Sequence, residues 1–305
     1  MRWVELCAGA AATTLRLLGG RDAVPLVSWM GGKRRHASAI LRMLDVRRDD
    51  VEEVVLVDAG PWGRFWPMLI DQGEEVAAAL DTWEGQNPRE LWDWLREQDP
   101  APGAGGVAQW LWLQARSASG VPVWHSSWRD DGEEGWRMGE EPSKSRRRTR
   151  GASQCSGGWL AAHDGRRPSD RGPDRRWAGG GIVHPSTIAR RIRYLLPALR
   201  SVPLQVMHGD AFAFEPESDD AIYLDPPYVG CTGYGWDMGR ARVLDVFARA
   251  RSAGARIAVS EAVPLEVEGA HHEDLAFCGG RRPEWLTLSH PAAWRPAEQL
   301  ALVAP

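Results

Sequence analysis

The chain has 305 residues, room for one catalytic domain with an insertion or for two modest domains. Hydrophobic residues make up 43% and charged residues 26%, which suits a globular chain with a substantial core. The net charge is only −4, so the chain as a whole does not declare a polyanionic partner and charge has to be read locally. Four scattered cysteines, Cys7, Cys155, Cys231 and Cys278, include no Cys-x-x-Cys pair. That spacing speaks against a zinc site and against a disulfide framework, and it fits a reducing cytoplasm. The chain begins Met-Arg-Trp-Val-Glu with no apolar signal segment, and no stretch is apolar for long enough to span a membrane. Tryptophan is frequent, at 17. Most of these residues are expected in the core, with stacking on bases as the alternative for a few.

In chain order, residues 3–8 read as a short buried strand, and Gly9 permits a turn into a helix over 10–18 that Gly19 and Gly20 stop. An amphipathic helix is expected over 34–44. Residues 53–58 form a continuous apolar strand of the kind buried on both faces of a parallel sheet. Helices are expected over 74–80, 89–97 and 107–118. Residues 126–181 lose hydrophobic periodicity. They open acidic, net −5 over 130–141, and turn basic, net +7 over 142–176. Disorder is expected for much of this stretch, and a mobile basic arm touching phosphates is compatible with it. Arg146–Arg148 and Arg190–Arg191 are candidates for such contacts, with a solvated face as the alternative. A helix over 185–200, strands over 204–207 and 220–224, a helix over 240–253 and strands over 255–260 and 284–289 complete the pattern. Strands alternating with helices predict an α/β fold with a mainly parallel sheet, whose ligands sit at the carboxyl ends of the strands.

The strongest chemical signal is Asp225-Pro226-Pro227-Tyr228, directly after the apolar run 221–224. Two successive prolines fix φ and remove two N–H donors, leaving a loop that presents carbonyls and a carboxylate, all acceptors. An exocyclic amine donates two N–H bonds, so such a loop can hold it and steer its lone pair toward an electrophile. Tyr228 adds a face on which a base can stack. A plain rigid turn is the alternative, although one proline would serve for that.

This segment resembles the catalytic motif of amino-group methyltransferases, and its surroundings are similar to the Dam-type DNA adenine methyltransferases. Trp29-Met30-Gly31-Gly32-Lys33 resembles that family's Trp-x-Gly-Gly-Lys, and Glu5-Leu6-Cys7-Ala8-Gly9-Ala10 its first strand and glycine turn. Val57-Asp58 followed by a helix, His208-Gly209-Asp210-Ala211-Phe212 and Val259-Ser260-Glu261 look like three further segments. The resemblance covers roughly residues 1–70 and 185–290. It implies a Rossmann-like S-adenosylmethionine-dependent methyltransferase fold with helices on both faces of the sheet and an inserted helical or disordered region. Residues 1–97 and 201–305 would form the catalytic domain. Residues 98–200 would be an inserted target-recognition region, flexible over 126–181.

The resemblance further implies a monomer acting on adenine N6 in double-stranded DNA, with S-adenosylmethionine as cofactor and no metal. Asp225, Pro226, Pro227 and Tyr228 would be catalytic. Trp29, Lys33, Asp58, Asp225, Glu5, Gly9 and Asp210 would bind the cofactor. Lys33 suits the methionine carboxylate, Asp58 the ribose hydroxyls and Asp210 the adenine amine. Glu5 suits the methionine ammonium, Trp29 packs on the ligand, and Gly9 lets the backbone approach it. Taken singly, Asp58 also reads as a helix cap, Gly31-Gly32 as a turn, Lys33 as a solvated helix lysine and Asp210 as a turn acid. Trp29–Lys33 follows the glycine turn here, whereas in the family it precedes the first strand. Cys231 lies near the motif without the Pro-Cys pair of C5-cytosine enzymes, so no covalent intermediate is expected. An RNA or cytosine-N4 target, or an inactive DNA-binding relative, are the competing readings.

Overall fold

A computed structural model describes residues 1–27, 29, 32–117, 123–125, 136–137, 183–228, 239–275 and 284–293. Arg146–Arg148, Cys155, Cys231, Cys278, the loop 232–236 and nearly all of 126–181 lie outside the described residues.

Nine described strands are β1 (Arg2–Leu6), β2 (Glu53–Asp58), β3 (Trp124–His125), β4 (Trp136–Arg137), β5 (Leu204–His208), β6 (Asp220–Leu224), β7 (Arg256–Glu261), β8 (His271–Asp274) and β9 (Trp285–Leu288). The helices described are α1 (Ala12–Gly19), α2 (Ala37–Met43), α3 (Pro61–Asp71), α4 (Gly73–Asp81), α5 (Pro88–Glu97), α6 (Ala104–Ala115), α7 (Pro185–Leu199) and α8 (Arg240–Ala253). Seven strands form one sheet in the order β5-β2-β1-β6-β7-β9-β8. The first five are mutually parallel, and β9 runs antiparallel to both β7 and β8. β3 and β4 make a separate antiparallel ribbon.

Period-two geometry explains why the central strands are apolar throughout. Trp3, Val54, Leu56, Ala221 and Tyr223 pack into one core cluster with Leu15, Ile40, Leu111 and Leu195 of the helices. Val4, Leu6, Val55, Val57, Ile222 and Leu224 point the other way, onto Val243, Val246, Phe247 and Ala250 of α8. Each strand therefore buries both faces, and helices cover both sides of the sheet. At the amino end of the sheet, the Arg2 guanidinium forks onto Asp220 with bonds of 2.7 and 2.9 Å. That bidentate pair joins neighbours in register on β1 and β6.

The α/β pattern and the parallel centre agree with the sequence expectation. Four elements were not legible from periodicity: the short strands β3 and β4, α3 and β8. α3 carries Pro67 in its interior. β8 is the polar run His-His-Glu-Asp at the sheet edge, where half-exposed backbone pairing replaces core burial. Within 98–200, α6 and α7 lie in the same core cluster as the strands. Trp110 and Trp112 are fully buried, as core residues. Among the described residues no helix is long and apolar enough to cross a membrane.

Gly63 lets α3 start hard against β2. A Cβ there would run into the Asp58 carbonyl oxygen and sit 2.9 Å from the His208 ring. Gly63→Ala is expected to destabilise the fold by about 1–3 kcal/mol or more through overpacking. Urea unfolding at unchanged m-value checks this, and an unmoved midpoint would show that α3 can slide outward.

Candidate active site

The parallel strands lie side by side in the order β5-β2-β1-β6-β7, so the winding reverses between β1 and β6. Crevices at such a reversal, outside the carboxyl ends of the strands, are the usual ligand sites of open α/β sheets. A cavity of about 370 Å³ opens there. Its walls include Glu5, Gly9, Trp29, Lys33, Asp58, Asp210, Asp225 and Pro227. Of the ten residues expected from the sequence, only Pro226 and Tyr228 do not line it.

The turn after β1 is built from left-handed residues. Cys7, Gly9 and Ala11 have φ of 57°, 49° and 48°. Glycine is required at position 9 for a second reason, because a Cβ there would lie 2.7 Å from Trp29 Nε1. The Gly9 carbonyl accepts from Trp66 Nε1 at 3.0 Å. Trp29 in turn meets Trp62 edge-on, with ring centroids 5.9 Å apart. Trp29, Gly32 and Lys33 thus line the cavity, despite following the glycine turn in the chain.

Asp58 ties this turn to the next strand. One carboxylate oxygen accepts from Gly9 N at 2.8 Å and the other from Gly60 N at 2.7 Å. Burial raises its pKa, and these backbone bonds oppose the rise. Asp58 is therefore the brace between two loops and still faces the cavity. Gly60, not Asp58, is the N-cap of α3.

Glu5 is buried at 3% exposure, and its carboxylate accepts from Thr14 N at 2.8 Å and Thr14 Oγ1 at 2.5 Å. Burial pushes its pKa up to about 7. Asp210 accepts from Phe212 N at 3.0 Å, which is the turn-acid role, and also pairs with Arg242 on α8. Burial works against its charge, but the Phe212 amide and Arg242 together hold its pKa below the ordinary value.

The Asp225–Tyr228 loop leaves β6 beside this cavity. Lys33 is not a solvated helix lysine but lies ahead of α2 at 5% exposure. Its ammonium donates to both Asp225 oxygens, at 2.7 and 3.0 Å, and lies 3.1 Å from Glu284 Oε1. It also sits 4.9 Å from the centroid of the Tyr228 ring. The Tyr228 hydroxyl donates to the same Glu284 oxygen. Burial pushes Asp225 up to about 6, opposed by Lys33 and reinforced by Glu284. Burial opposes the charge on Lys33, yet the two carboxylates outweigh it and keep the pKa above the ordinary lysine value. Beneath the loop, Tyr223 and Ser260 share a hydrogen bond of 2.6 Å. Glu261, next along β7, is raised to about 7 by burial.

Four groups at the site escaped the sequence analysis. Glu284 and Arg242 carry no local signal, since one opens a strand and the other sits on a helix rich in arginine. His208 lay inside a quoted segment but was given no role. Cys7 lines the cavity, and burial pushes its thiol well above the ordinary range, so it stays protonated. Among the described residues no cluster of His, Cys, Asp and Glu is placed to hold a metal.

Glu5 gives a pH-dependent prediction. The folded chain keeps its proton to higher pH than the unfolded chain does. Glu5 therefore removes stability as pH rises from 4.5 to about 7. The loss is on the order of 2–3 kcal/mol, and Glu5→Gln, which keeps an acceptor for Thr14, should abolish it. Denaturant midpoints on either side of that window check this, the wild type falling further than the variant as pH rises.

No known protein-family model matches this chain, and no curated protein does.

Proposed function

We propose that this chain transfers a methyl group from S-adenosylmethionine to the N6 amine of adenine in DNA. The observation that carries the reading is a juxtaposition. Asp225 and Pro227 of the loop Asp225-Pro226-Pro227-Tyr228 line the same cavity as the Gly9 turn, Asp58 and Asp210. Small-molecule sites occupy roughly 300–1,000 Å³, and this cavity falls in that range. The seven-stranded, mostly parallel sheet is compatible with a Rossmann-like methyltransferase fold.

The residues present fit the cofactor in charge and donor type. Glu5, Asp58, Asp210 and Asp225 make the walls acidic, which suits a sulfonium and an ammonium. Asp58 retains acceptor capacity for ribose hydroxyls, since a carboxylate has about four acceptor sites and the backbone amides of Gly9, Gly60 and Gly63 use three. Asp210 suits the adenine amine. Lys33 and Arg242 are the cavity-lining cations, and Lys33 is the one placed beside Asp225 to meet a carboxylate.

The bound cofactor would supply an activated methyl group. The rest of the chemistry belongs to the chain. A target adenine has to leave the duplex before its amine is accessible. Tyr228 offers the face for stacking. The Asp225 carboxylate and the Pro226 carbonyl would accept hydrogen bonds from the two amine N–H groups, and the one proton that the methylated nitrogen gives up would pass to the Asp225 carboxylate. Positive charge develops on the nitrogen as it attacks. Asp225 and Glu284 against the single Lys33 leave the cluster with net negative charge, which stabilises that transition state more than the neutral amine.

Incubation with isotopically labelled S-adenosylmethionine and unmethylated duplex DNA, followed by nucleoside analysis, tests this. Label is expected in N6-methyladenine. Asp225→Ala should lower kcat by about 10²–10³, the usual loss for one electrostatic contact in a transition state. Label in another base would change the substrate, and no transfer to any nucleic acid would remove the reading. Because Asp225 has to be ionised, kcat/KM should fall as pH drops through about 6.

A further inference from the structure

The antiparallel strand β9 has a consequence for the site. Parallel strands bring their carboxyl ends to the cavity, so an antiparallel neighbour brings its amino end there. Trp285 pairs with Glu261, the last residue of β7, which places the start of β9 level with the end of β7. The backbone at 284 is fixed by Leu275 N, which donates to the Glu284 carbonyl at 2.7 Å and closes the β8–β9 hairpin. Glu284 is thus delivered by the sheet itself to the loop 225–228, although 56 residues separate it from Tyr228.

There one carboxylate oxygen serves two groups. Glu284 Oε1 lies 3.1 Å from the Lys33 ammonium and accepts the Tyr228 hydroxyl. Lys33 holds Asp225 from its other side. Lys33, Glu284 and Tyr228 contact one another mutually, and Asp225 joins them through Lys33; the Tyr228 ring face is set by its hydroxyl, and the Asp225 charge is balanced through Lys33.

We infer that Glu284 is a positioning residue, which orients the Tyr228 ring for stacking and holds Lys33 between itself and Asp225. What the positioned groups then do rests on the methyl-transfer reading above; the contacts themselves do not. The carboxylate has two separable duties. Its oxygen anchors Tyr228, which a glutamine can also do. Its charge shares Lys33 with Asp225, which a glutamine cannot.

The test compares Glu284→Gln, Glu284→Ala and Tyr228→Phe with the wild type. Two readouts are used, the pH profile of kcat/KM for methyl transfer and a carbon-13 NMR titration of the Asp225 carboxyl assigned through Asp225→Asn. Removing the charge frees Asp225 from a like-charged neighbour and leaves Lys33 to it alone. Both glutamate variants should therefore move the acid limb, and the Asp225 titration, to lower pH than the wild type's value of about 6. Tyr228→Phe should leave that titration in place. Glu284→Ala should lose about tenfold more kcat than Glu284→Gln, which retains the anchor for Tyr228 and so partly rescues the ring. If Glu284→Ala does not fold, Glu284→Gln, which preserves shape, carries the test through the shift in titration. An unmoved Asp225 titration in Glu284→Gln would overturn the inference, as would equal kcat in the alanine and glutamine variants. If the wild type transfers no methyl group, the functional reading falls. The NMR titration then still decides whether Glu284 positions Lys33 and Asp225.

Discussion

A lysine ammonium taken almost completely out of water has to be paired, and at Lys33 that requirement organises the candidate site. Its two carboxylate partners come from distant parts of the chain, Asp225 from the end of β6 and Glu284 from the start of β9. Both approach because the ammonium would otherwise be an uncompensated buried charge. The arrangement also explains the raised pKa of Asp225. Two acids share one cation in a buried setting, so burial and Glu284 together outweigh the help from Lys33. A carboxylate that is half-neutralised near pH 6 still accepts hydrogen bonds at neutral pH and responds strongly to charge brought near it.

The second support of the site is geometric. Three left-handed residues in five positions make a turn that extended or helical backbone could not replace. The turn persists because surrounding groups over-determine it. Asp58 takes the Gly9 amide, Trp66 donates to the Gly9 carbonyl, and Trp29 fills the space a side chain at position 9 would need. The Trp29, Trp62, Trp66 and Trp110 rings pack against one another directly behind it. Four of the 17 tryptophans are thereby accounted for as a rigid backing for one turn. Trp29 alone among these four also lines the cavity.

Much of the framework was legible in the linear sequence. The runs 53–58 and 220–224 are continuous and apolar because both faces of a central parallel strand are buried, and their boundaries agree with the structure. Helix 240–253 was equally clear, bounded by Gly239 and by Gly254, whose φ is 84°. The motif residues were legible because unusual chemistry leaves unusual local sequence. Two prolines after an acid, or a glycine after an apolar strand, have few other reasons to occur. Elements without such a signature were not legible from periodicity, although the resemblance implied a helix after Asp58. α3 contains a proline, and β8 is polar because an edge strand contributes backbone pairing more than burial.

The sequence by itself determined the α/β class, the acceptor loop at 225–228 and the set of acids around a cavity at the strand ends. Those properties depend on residue type, periodicity and short spacing, all of which are local. Tertiary structure alone decided who partners whom. It turned Asp58 into a brace between two loops and gave Asp210 a partner in Arg242. It placed Lys33 against the loop 225–228 rather than in solvent, and it brought Glu284 to the same point. The physical reason is strand direction. Whether a residue at the start of a strand faces the site or the far end of the sheet depends on the strand being parallel or antiparallel to its neighbours. That property belongs to the assembled sheet and to no local stretch of chain.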